Sequence, residues 1–404
     1  MHENRTCLRE SAQLQQAVQF FVENSQVLSC LHLGCGSREM TWHALGGVRN
    51  HRGESLDAED IFDLASLTKL FTGVMVLHLR EEGLLDLDRP VTSYAPMFTN
   101  LRDVSVRDIF AFQCALQTGV RVDACSDREQ ALEALMGIQA GIRGKRAYSD
   151  MHCMVLKYVL EGAGKDSYMH LVKTRILDPL GMQHTYCRVP QDMLPGVVDV
   201  SHGYRIEMGV WKRDEGPAPG VPHDPKARIL WDGSSCPGHA GLFSTFDDME
   251  RFARGLLEGR VISMEALREM TVNRTGAPLP GGGYSQYLGY QCYVRHPEQI
   301  HSEVPSFMSD RSFALSGFTG HHLSLDLDRG IFVLALGNRV MDRLSVLTLR
   351  EGESYADFGL TPEGRGTVIW PDGTRVISSV RYVYLRDRYM HEPARQVLEA
   401  AGCL

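Results

Sequence analysis

The chain has 404 residues, of which 43% are hydrophobic, and this is enough for one large domain or two closely packed ones. Lysine and arginine total 42 and aspartate and glutamate total 50, so the formal net charge is −8. Because no basic run or stripe occurs, nucleic acid and anionic membrane surfaces are poor partner candidates, and a small-molecule substrate fits better.

The first half of the chain predicts a helix, a hairpin and a second, buried helix. Residues 12–25 have a helical pattern, and residues 27–48 alternate between glycines as two adjacent strands do. The helix predicted from about 66 to 82 has apolar residues on nearly all sides, with Gly83 as its C-terminal cap. We therefore expect this second helix to lie at the centre of the fold.

The remainder of the chain is first helical and then rich in strands. A Gly-, Pro- and His-rich segment at about 203–240 predicts a long functional loop or lid. The predicted helices are 127–137, 151–162, 168–177, 246–257, 263–272 and 392–401, and the predicted strands are 287–294, 312–317, 321–327, 331–336, 368–370, 375–377 and 380–384. This order predicts one sheet from both chain ends (1–85 and 275–404) with a helical insertion (86–274).

Location is predicted from the N-terminus and the cysteines. Residues 1–16 lack the charged and apolar regions of a signal peptide, and no stretch approaches the roughly 18 apolar residues of a membrane span. The ten cysteines show no Cys-x-x-Cys pair and no regular spacing, which is typical of reduced thiols rather than of a disulfide framework or a zinc site. We predict a cytoplasmic protein without a metal or another cofactor.

Ser66 and Lys69 form the only Ser-x-x-Lys of the chain, at the start of the buried helix. Residues three apart share one face of a helix, so the hydroxyl and the amine can meet. A buried lysine needs a partner or a lowered pKa, and a neutral amine can accept the Ser66 proton. The alternative is a lysine on a solvated face.

Three further segments carry candidate side chains. Tyr148 and Asp150 precede a predicted helix. Beside a cationic lysine the pKa of the Tyr148 phenol would fall, which suits a proton shuttle. The alternative is a core tyrosine, with Asp150 as the helix N-cap. Residues 314–320 could supply backbone N–H groups to an oxyanion hole or could simply form a hairpin turn. His239 could touch substrate or pack at a tight turn.

In this order, the motifs resemble those of the serine β-lactamase and penicillin-binding protein superfamily, and in particular the class C β-lactamase-like branch with its esterases and D-aminopeptidases. The matching segments are 64–69, 82–91, 147–150, 179–182, 238–245 and 317–320, within a similarity that runs from about residue 12 to 340. The resemblance implies an α/β (α+β) fold, in which an antiparallel sheet flanked by helices packs on a mostly helical domain with the active site between them.

The resemblance also implies roles for single residues. Ser66 would be the nucleophile, Lys69 its base partner, and Tyr148 the acid and base of acylation and deacylation. Backbone N–H groups of Ser66 and Phe318 would form the oxyanion hole. The residues predicted to line the substrate or oxyanion site are Asp150, Ser316, Gly317, Phe318 and His239.

Two departures from the family pattern affect the predicted substrate. Leu315 stands where the family usually has a lysine or histidine that can hold a substrate carboxylate, and a buried carboxylate without a partner is costly. Residues 113–119 replace the usual His-Thr-Ser-Gly segment. We therefore expect a serine hydrolase that forms an acyl-enzyme on Ser66 and acts on a small ester or amide.

Two other functions stay open, and the oligomeric state is unknown. The first is β-lactamase or D-Ala-type peptidase activity, with Arg339 or a histidine replacing the lost cation. The second is a non-catalytic descendant that binds a ligand or a partner.

Overall fold

The computed structural model describes residues 7–143, 148–298 and 303–404. Its strands are β1 (Cys7–Glu10), β2 (Cys30–Ser37), β3 (Met40–Gly47), β4 (Phe62–Asp63), β5 (Cys114–Gln117), β6 (Gln139–Arg143), β7 (Gly203–Glu207), β8 (Val210–Asp214), β9 (Phe243–Ser244), β10 (Tyr293–Val294), β11 (Ser312–Gly317), β12 (His321–Asp326), β13 (Ile331–Asn338), β14 (Arg343–Thr348), β15 (Thr367–Ile369) and β16 (Arg375–Ser378). Its α-helices are α1 (Ala12–Gln19), α2 (Thr68–Glu81), α3 (Val106–Phe110), α4 (Arg128–Met136), α5 (Asp150–Gly164), α6 (Tyr168–Val172), α7 (Asp178–Leu180), α8 (Pro225–Leu230), α9 (Phe246–Leu257), α10 (Met264–Met270) and α11 (Glu392–Ala400).

The main sheet is built from both ends of the chain, as the sequence predicts. Its strand order is β1-β3-β2-β13-β12-β11-β10, and neighbours are antiparallel except for the parallel pair β1 and β3. One face of this sheet packs on α1 and α11, and the other face joins the large core around α2. The predicted mixed α/β class with helices on the sheet is therefore confirmed.

Helix α2 lies at the centre of the larger core because it is apolar on nearly all sides. The buried set on this helix includes Leu70, Phe71, Val74 and Met75, and Lys69 is buried with them. A helix buried all round cannot place a charge at its N-terminal end without a polar partner from another element. The site of that charge is therefore determined by what packs around the start of α2.

A second sheet, with order β15-β16-β14-β7-β8, corrects two sequence predictions. Residues 203–214 are a hairpin rather than irregular loop, and β14 pairs with β7 in parallel, so the C-terminal strands leave the main sheet. A small core of Tyr204, Leu344 and Trp370 holds this sheet together. The alternation in 203–207 is a strand pattern, but Gly, Pro and His around it concealed it.

Two predicted strands are also wrong in extent. Residues 382–385 form a 3₁₀ turn rather than a strand, and of residues 287–294 only Tyr293 and Val294 pair in the sheet. Within the described residues, no helix is long and apolar enough to cross a membrane. The proposed domain boundaries, 1–85 with 275–404 and 86–274, stay a prediction.

Gly162 tests how tightly α5 is packed. A Cβ at this position would lie 1.8 Å from the backbone oxygen of Tyr94, which cannot move as a flexible side chain can. Gly162→Ala should therefore lower the free energy of unfolding by about 1–3 kcal/mol, measured by urea denaturation, although alanine is the better helix former. Gly119→Ala, with no heavy atom within 4 Å of its added Cβ, is the matched control. A Gly162→Ala protein as stable as wild type would contradict this packing.

Candidate active site

Ser66 lies in a 3₁₀ turn, Ala65–Leu67, directly before α2. Ala65 has a φ of +45°, a left-handed conformation that a residue with a Cβ adopts only under constraint. The constraint comes from Asp63, whose Oδ1 accepts a hydrogen bond of 2.9 Å from the Ala65 N–H. In this strained turn Ser66 is partly exposed, whereas its neighbours Ala65 and Leu67 are buried.

Asp63 is itself held from several sides. Its Oδ2 accepts from the His223 N–H at 2.6 Å, and its backbone oxygen accepts from His321 Nε2 at 2.6 Å and from the Thr319 hydroxyl at 3.1 Å. Burial raises the pKa of this carboxyl to about 6, although the bonds from His223 and Ala65 lower it. The turn that carries Ser66 is thus tied to β12, to the turn before it and to the segment before α8.

Lys69 is fully buried, and several polar atoms lie close to its Nζ. Its Nζ lies 2.7 Å from Ser66 Oγ, 2.9 Å from Asp150 Oδ1 and 3.2 Å from the backbone oxygen of His239. Burial lowers the pKa of Lys69, but Asp150 and Tyr148 outweigh burial and the pKa is raised above its ordinary value. The expectation of a neutral amine is therefore wrong for this resting arrangement: Lys69 is an ammonium, because a carboxylate remote in sequence reaches it.

Tyr148 lies beside Lys69 and stacks between two other rings. Lys69 Nζ is 4.9 Å from the centre of the Tyr148 ring, and the rings of Phe112 and Tyr293 stack on it at 5.6 and 5.7 Å. Burial raises the pKa of the phenol, and this effect exceeds the lowering by Lys69 and by hydrogen bonds with Lys69 and Ser66. The predicted fall in the Tyr148 pKa is therefore wrong, and the phenol is neutral at rest.

Asp150 belongs to a charged group that sequence reasoning found only in part. Its Oδ2 lies 3.1 Å from Lys226 Nζ, which is 3.6 Å from Asp224 Oδ2, and Asp224 Oδ1 accepts from His239 Nε2 at 2.8 Å. Burial raises the pKa of Asp150, but Lys69 and its other cationic neighbours hold it well below the usual range. The only sequence signal for Asp224 and Lys226 was their place in the 203–240 segment.

The helix cap differs from the one expected, and the placement of the His239 ring favours one of its two predicted roles. Ser149, not Asp150, caps α5, because its hydroxyl accepts from the Met151 N–H at 3.3 Å. The His239 ring is buried against Asp224, so its backbone oxygen, rather than the ring, faces Lys69. These placements favour a packing role for His239 over contact with substrate.

The oxygens and nitrogen of Asp150, Asp224 and His239 lie within 4.8 Å of one another, close enough for a metal ion. Lys226 already lies between the two carboxylates, and Lys69 contacts the other oxygen of Asp150. A divalent cation would have to displace the Lys226 ammonium, so the present donor set fits a lysine better than a metal. The prediction of a metal-free protein is consistent with this arrangement but stays a prediction.

Strand β11, which lies next to the edge strand β10, approaches the Ser66 turn at Gly317. A Cβ at Gly317 would lie 2.9 Å from the backbone oxygen of Leu64, so only glycine allows this approach. Phe318, the next residue, is 39% exposed, and its ring stacks on His223 at 5.5 Å. This geometry places the Phe318 backbone near the Ser66 turn, where an oxyanion hole was expected.

Leu315 and Ser316 point to opposite faces of β11. Leu315 is buried in the large core with α2. Ser316 lies on the face that carries α11, where it hydrogen-bonds with Glu303, Arg386 and, at 3.2 Å, His322. This orientation gives no support to a substrate-contacting role for the Ser316 side chain.

Arg339 does not replace the missing cation. Its guanidinium donates to the backbone oxygens of Phe318 at 2.8 Å, Ser379 at 3.1 Å and Ser345 at 2.8 Å, and burial lowers its pKa to about 10. Arg339 is thus a buried side chain engaged by the backbone, which does not favour a role in binding a substrate carboxylate.

A cavity of about 310 Å³ borders this group on the side of the helices. It is lined by Thr118, Arg121, Val122, Asp123, Tyr148, Ser149, Asp150, Met151 and Lys226. Tyr148, Asp150 and Lys226 thus face both the charged group and a space that can hold a small molecule.

Comparison with known proteins identifies the family. The Beta-lactamase family model matches residues 14–348, and the chain belongs to this family. A candidate penicillin-binding protein, PbpX of Bacillus subtilis (strain 168), is 24% identical over 64% of this chain, and a teichoic acid D-alanine hydrolase of Staphylococcus aureus is 30% identical over 31% of it. These matches span only 60% and 32% of the two relatives.

Solved structures agree on the fold. EstCE1, described as a hydrolase with promiscuous acyltransferase activity, superposes with a TM-score of 0.65 at 19% identity, covering 81% of this chain and 92% of its own. A class C β-lactamase from Rhodobacter sphaeroides gives 0.60 at 18% identity, covering 82% and 95%. The predicted β-lactamase-like fold is therefore confirmed, while the roles of Ser66, Lys69 and Tyr148 stay predictions.

Asp150→Asn should lower the pKa of Lys69, because it removes the carboxylate that stabilises the buried ammonium while burial continues to favour the neutral amine. An NMR titration of the Lys69 side chain would measure the shift. Asp178→Asn, which removes the partner of the exposed Lys173, is the control and should leave Lys69 unchanged. Identical Lys69 titration in wild type and Asp150→Asn would show that Asp150 does not hold the proton.

Proposed function

We propose that this protein is a serine hydrolase that forms an acyl-enzyme on Ser66 and acts on small esters or amides, as an esterase of the β-lactamase fold. The observation that carries the proposal is the 2.7 Å contact of Lys69 Nζ with Ser66 Oγ, beside the Tyr148 phenol. A serine hydroxyl becomes a nucleophile when an adjacent base can take its proton. Few structural roles require a serine, a buried lysine and a partly buried phenol at one point.

The proposed reaction has two steps. In acylation, Ser66 Oγ bonds to the substrate carbonyl carbon, its proton passes to neutral Lys69, and the leaving alcohol departs with a proton delivered through Tyr148. In deacylation, water passes a proton through Tyr148 to neutral Lys69 while its oxygen bonds to the acyl carbon. The bond between the acyl carbon and Ser66 Oγ then breaks, and Lys69 returns the proton to Ser66 Oγ. Backbone N–H groups of Ser66 and Phe318 would stabilise the tetrahedral oxyanion.

The expected substrate lacks a carboxylate that must be bound. Leu315 is apolar and buried, and Arg339 is engaged by three backbone oxygens. β-Lactamase or D-peptide hydrolysis would need another cation at this edge, so a neutral acyl ester is the better candidate. The similarity to a hydrolase with acyltransferase activity and to a teichoic acid D-alanine hydrolase supports acyl-transfer and hydrolase chemistry.

A cytoplasmic location is part of the proposal. Cys30, Cys153 and Cys236 are buried thiols, which suits a reducing compartment. Cell fractionation with an antibody to the protein would test it.

A fluorophosphonate probe should add one covalent adduct to the wild-type protein, and Ser66→Ala should abolish it, as read by intact mass. Ser126→Ala, which changes an exposed serine bonded to Asp127, should label normally. Hydrolysis of p-nitrophenyl esters without hydrolysis of a chromogenic cephalosporin would favour the esterase over the β-lactamase. No adduct on wild type with either a fluorophosphonate or a β-lactam would favour the non-catalytic alternative.

Lys69→Met should lower kcat/KM for an ester by about 10²–10⁴-fold, because it removes the base and nearly preserves the side-chain volume. Tyr148→Phe should impair turnover while the melting temperature stays close to that of wild type. If Lys69→Met retained wild-type kcat/KM, the amine would have no part in the reaction.

The rate should also depend on pH in a direction that the Lys69 pKa determines. Because this pKa is raised, little neutral amine exists at neutral pH, and its fraction grows about tenfold per pH unit until the pKa is reached. We expect kcat/KM of the wild type to rise from neutral to alkaline pH. In Asp150→Asn, this rise should level off at a lower pH than in the wild type, because the pKa of Lys69 is lower. A wild-type profile that is flat above neutral pH would contradict Lys69 as the base.

A further inference from the structure

The two oxygens of the Asp150 carboxylate are divided between two ammonium groups. Oδ1 contacts Lys69 Nζ at 2.9 Å and Oδ2 contacts Lys226 Nζ at 3.1 Å. Lys226 also contacts Asp224, and Asp224 accepts a hydrogen bond from the His239 ring. The His239 backbone oxygen in turn accepts a hydrogen bond from Lys69. These five residues therefore form a closed ring of charge-assisted contacts around the base of the proposed nucleophile.

We propose that Lys226 is a positioning residue of this site: it binds the second oxygen of Asp150, weakens the hold of that carboxylate on the Lys69 ammonium, and so allows Lys69 to act as the base for Ser66. The inference rests on the proposed function. Lys226 has no contact with Ser66 among its described polar contacts, so it would act through Asp150 rather than on the substrate.

The physical argument is a balance of charge around Lys69. Without Lys226, Asp150 would present its full negative charge to the Lys69 ammonium, and proton release from Lys69 would leave a partly buried carboxylate without a direct ion-pair partner. With Lys226 in place, the carboxylate keeps a cationic partner whether Lys69 is charged or neutral. Two like charges on one carboxylate also repel each other, which favours loss of one proton.

The other groups that face Lys69 contribute less to this balance. Tyr148 is neutral at rest, Cys153 on α5 is a buried thiol whose pKa is raised by burial, and the more distant Tyr293 on β10 is a phenol whose pKa burial also raises. The His239 backbone oxygen and Ser66 Oγ are uncharged. Among the groups named, Asp150 is the carboxylate in direct contact with Lys69.

Lys226 is itself held as a cation. Asp224, Asp150 and Asp123 all raise its pKa against the effect of burial, which lowers it. Asp123 is paired with Arg121, so its charge is already compensated. Lys226 is therefore a cation around neutral pH, where the labelling rates of the variants are compared.

The test is the pH dependence of fluorophosphonate labelling in wild type, Lys226→Met, Lys226→Gln and Lys226→Arg. In this reaction the Ser66 oxygen–phosphorus bond forms, fluoride leaves with the electron pair of the phosphorus–fluorine bond, and the Ser66 proton passes to Lys69. Loss of the Lys226 charge should move the acid limb of the profile up by about one pH unit and lower the rate at neutral pH about tenfold, with an unchanged rate at its alkaline plateau. Lys226→Arg should restore the wild-type limb.

Two controls separate this role from a structural one. Lys212→Met removes the same charge from an acid-paired lysine of the second sheet, 55% exposed, and should leave the profile unchanged. In an Asp150→Asn background, Lys226→Met should move the limb much less than it does alone, because the carboxylate is absent and only the direct repulsion between the two ammonium groups is left. Lys226→Gln keeps hydrogen-bond donors to the carboxylates, so it provides the same test if Lys226→Met does not fold.

The outcomes distinguish the inference from the proposed function. Wild-type labelling with an unmoved limb in both Lys226→Met and Lys226→Gln would overturn the positioning role and leave the serine hydrolase intact. A lowered plateau without a shift would also overturn it, since it would indicate packing alone. Absence of labelling in wild type would instead reject the proposed function, and with it this inference.

Discussion

A fully buried lysine ammonium at the start of α2 is the constraint on which the rest of the site depends. Burying an unpaired charge is among the most unfavourable events in folding, so Lys69 must be met by partners from other elements. Asp150 from α5 and the backbone oxygen of His239 supply them, together with Ser66 from its own turn. This requirement brings α2, α5 and the 238–241 turn to one point.

The same constraint explains why positive charge at the site is distributed as it is. Leu315 leaves β11 without a cation, and Arg339 is used to hold three backbone oxygens near the strand edge. A second ammonium instead reaches Asp150 from the opposite side, on Lys226 of α8. The Leu315 position, where a substrate carboxylate would be expected to bind, is thus apolar, while the second ammonium contacts Asp150.

Local patterns in the sequence were sufficient for much of the fold and for the first pair of the site. The spacing of Ser66 and Lys69 brings their side chains to one side of the turn that leads into α2, because residues three apart lie on the same side of a helical turn. Strand β11 and helix α9 were predicted with the bounds that they have, since period-2 and period-3.6 patterns depend on near neighbours. In the described residues the main sheet also follows from the placement of strands at both chain ends.

Contacts between distant segments were decided only by the tertiary structure. The second sheet depends on pairing of β7 with β14, and the protonation of Lys69 depends on Asp150 and Lys226, which no local spacing relates to it. The face to which Ser316 points depends on which helices cover each side of β11. The sequence by itself thus determined which groups could react and where the chain forms helices and strands; long-range packing, because it sets burial and charge neighbours, decided their protonation states and orientation.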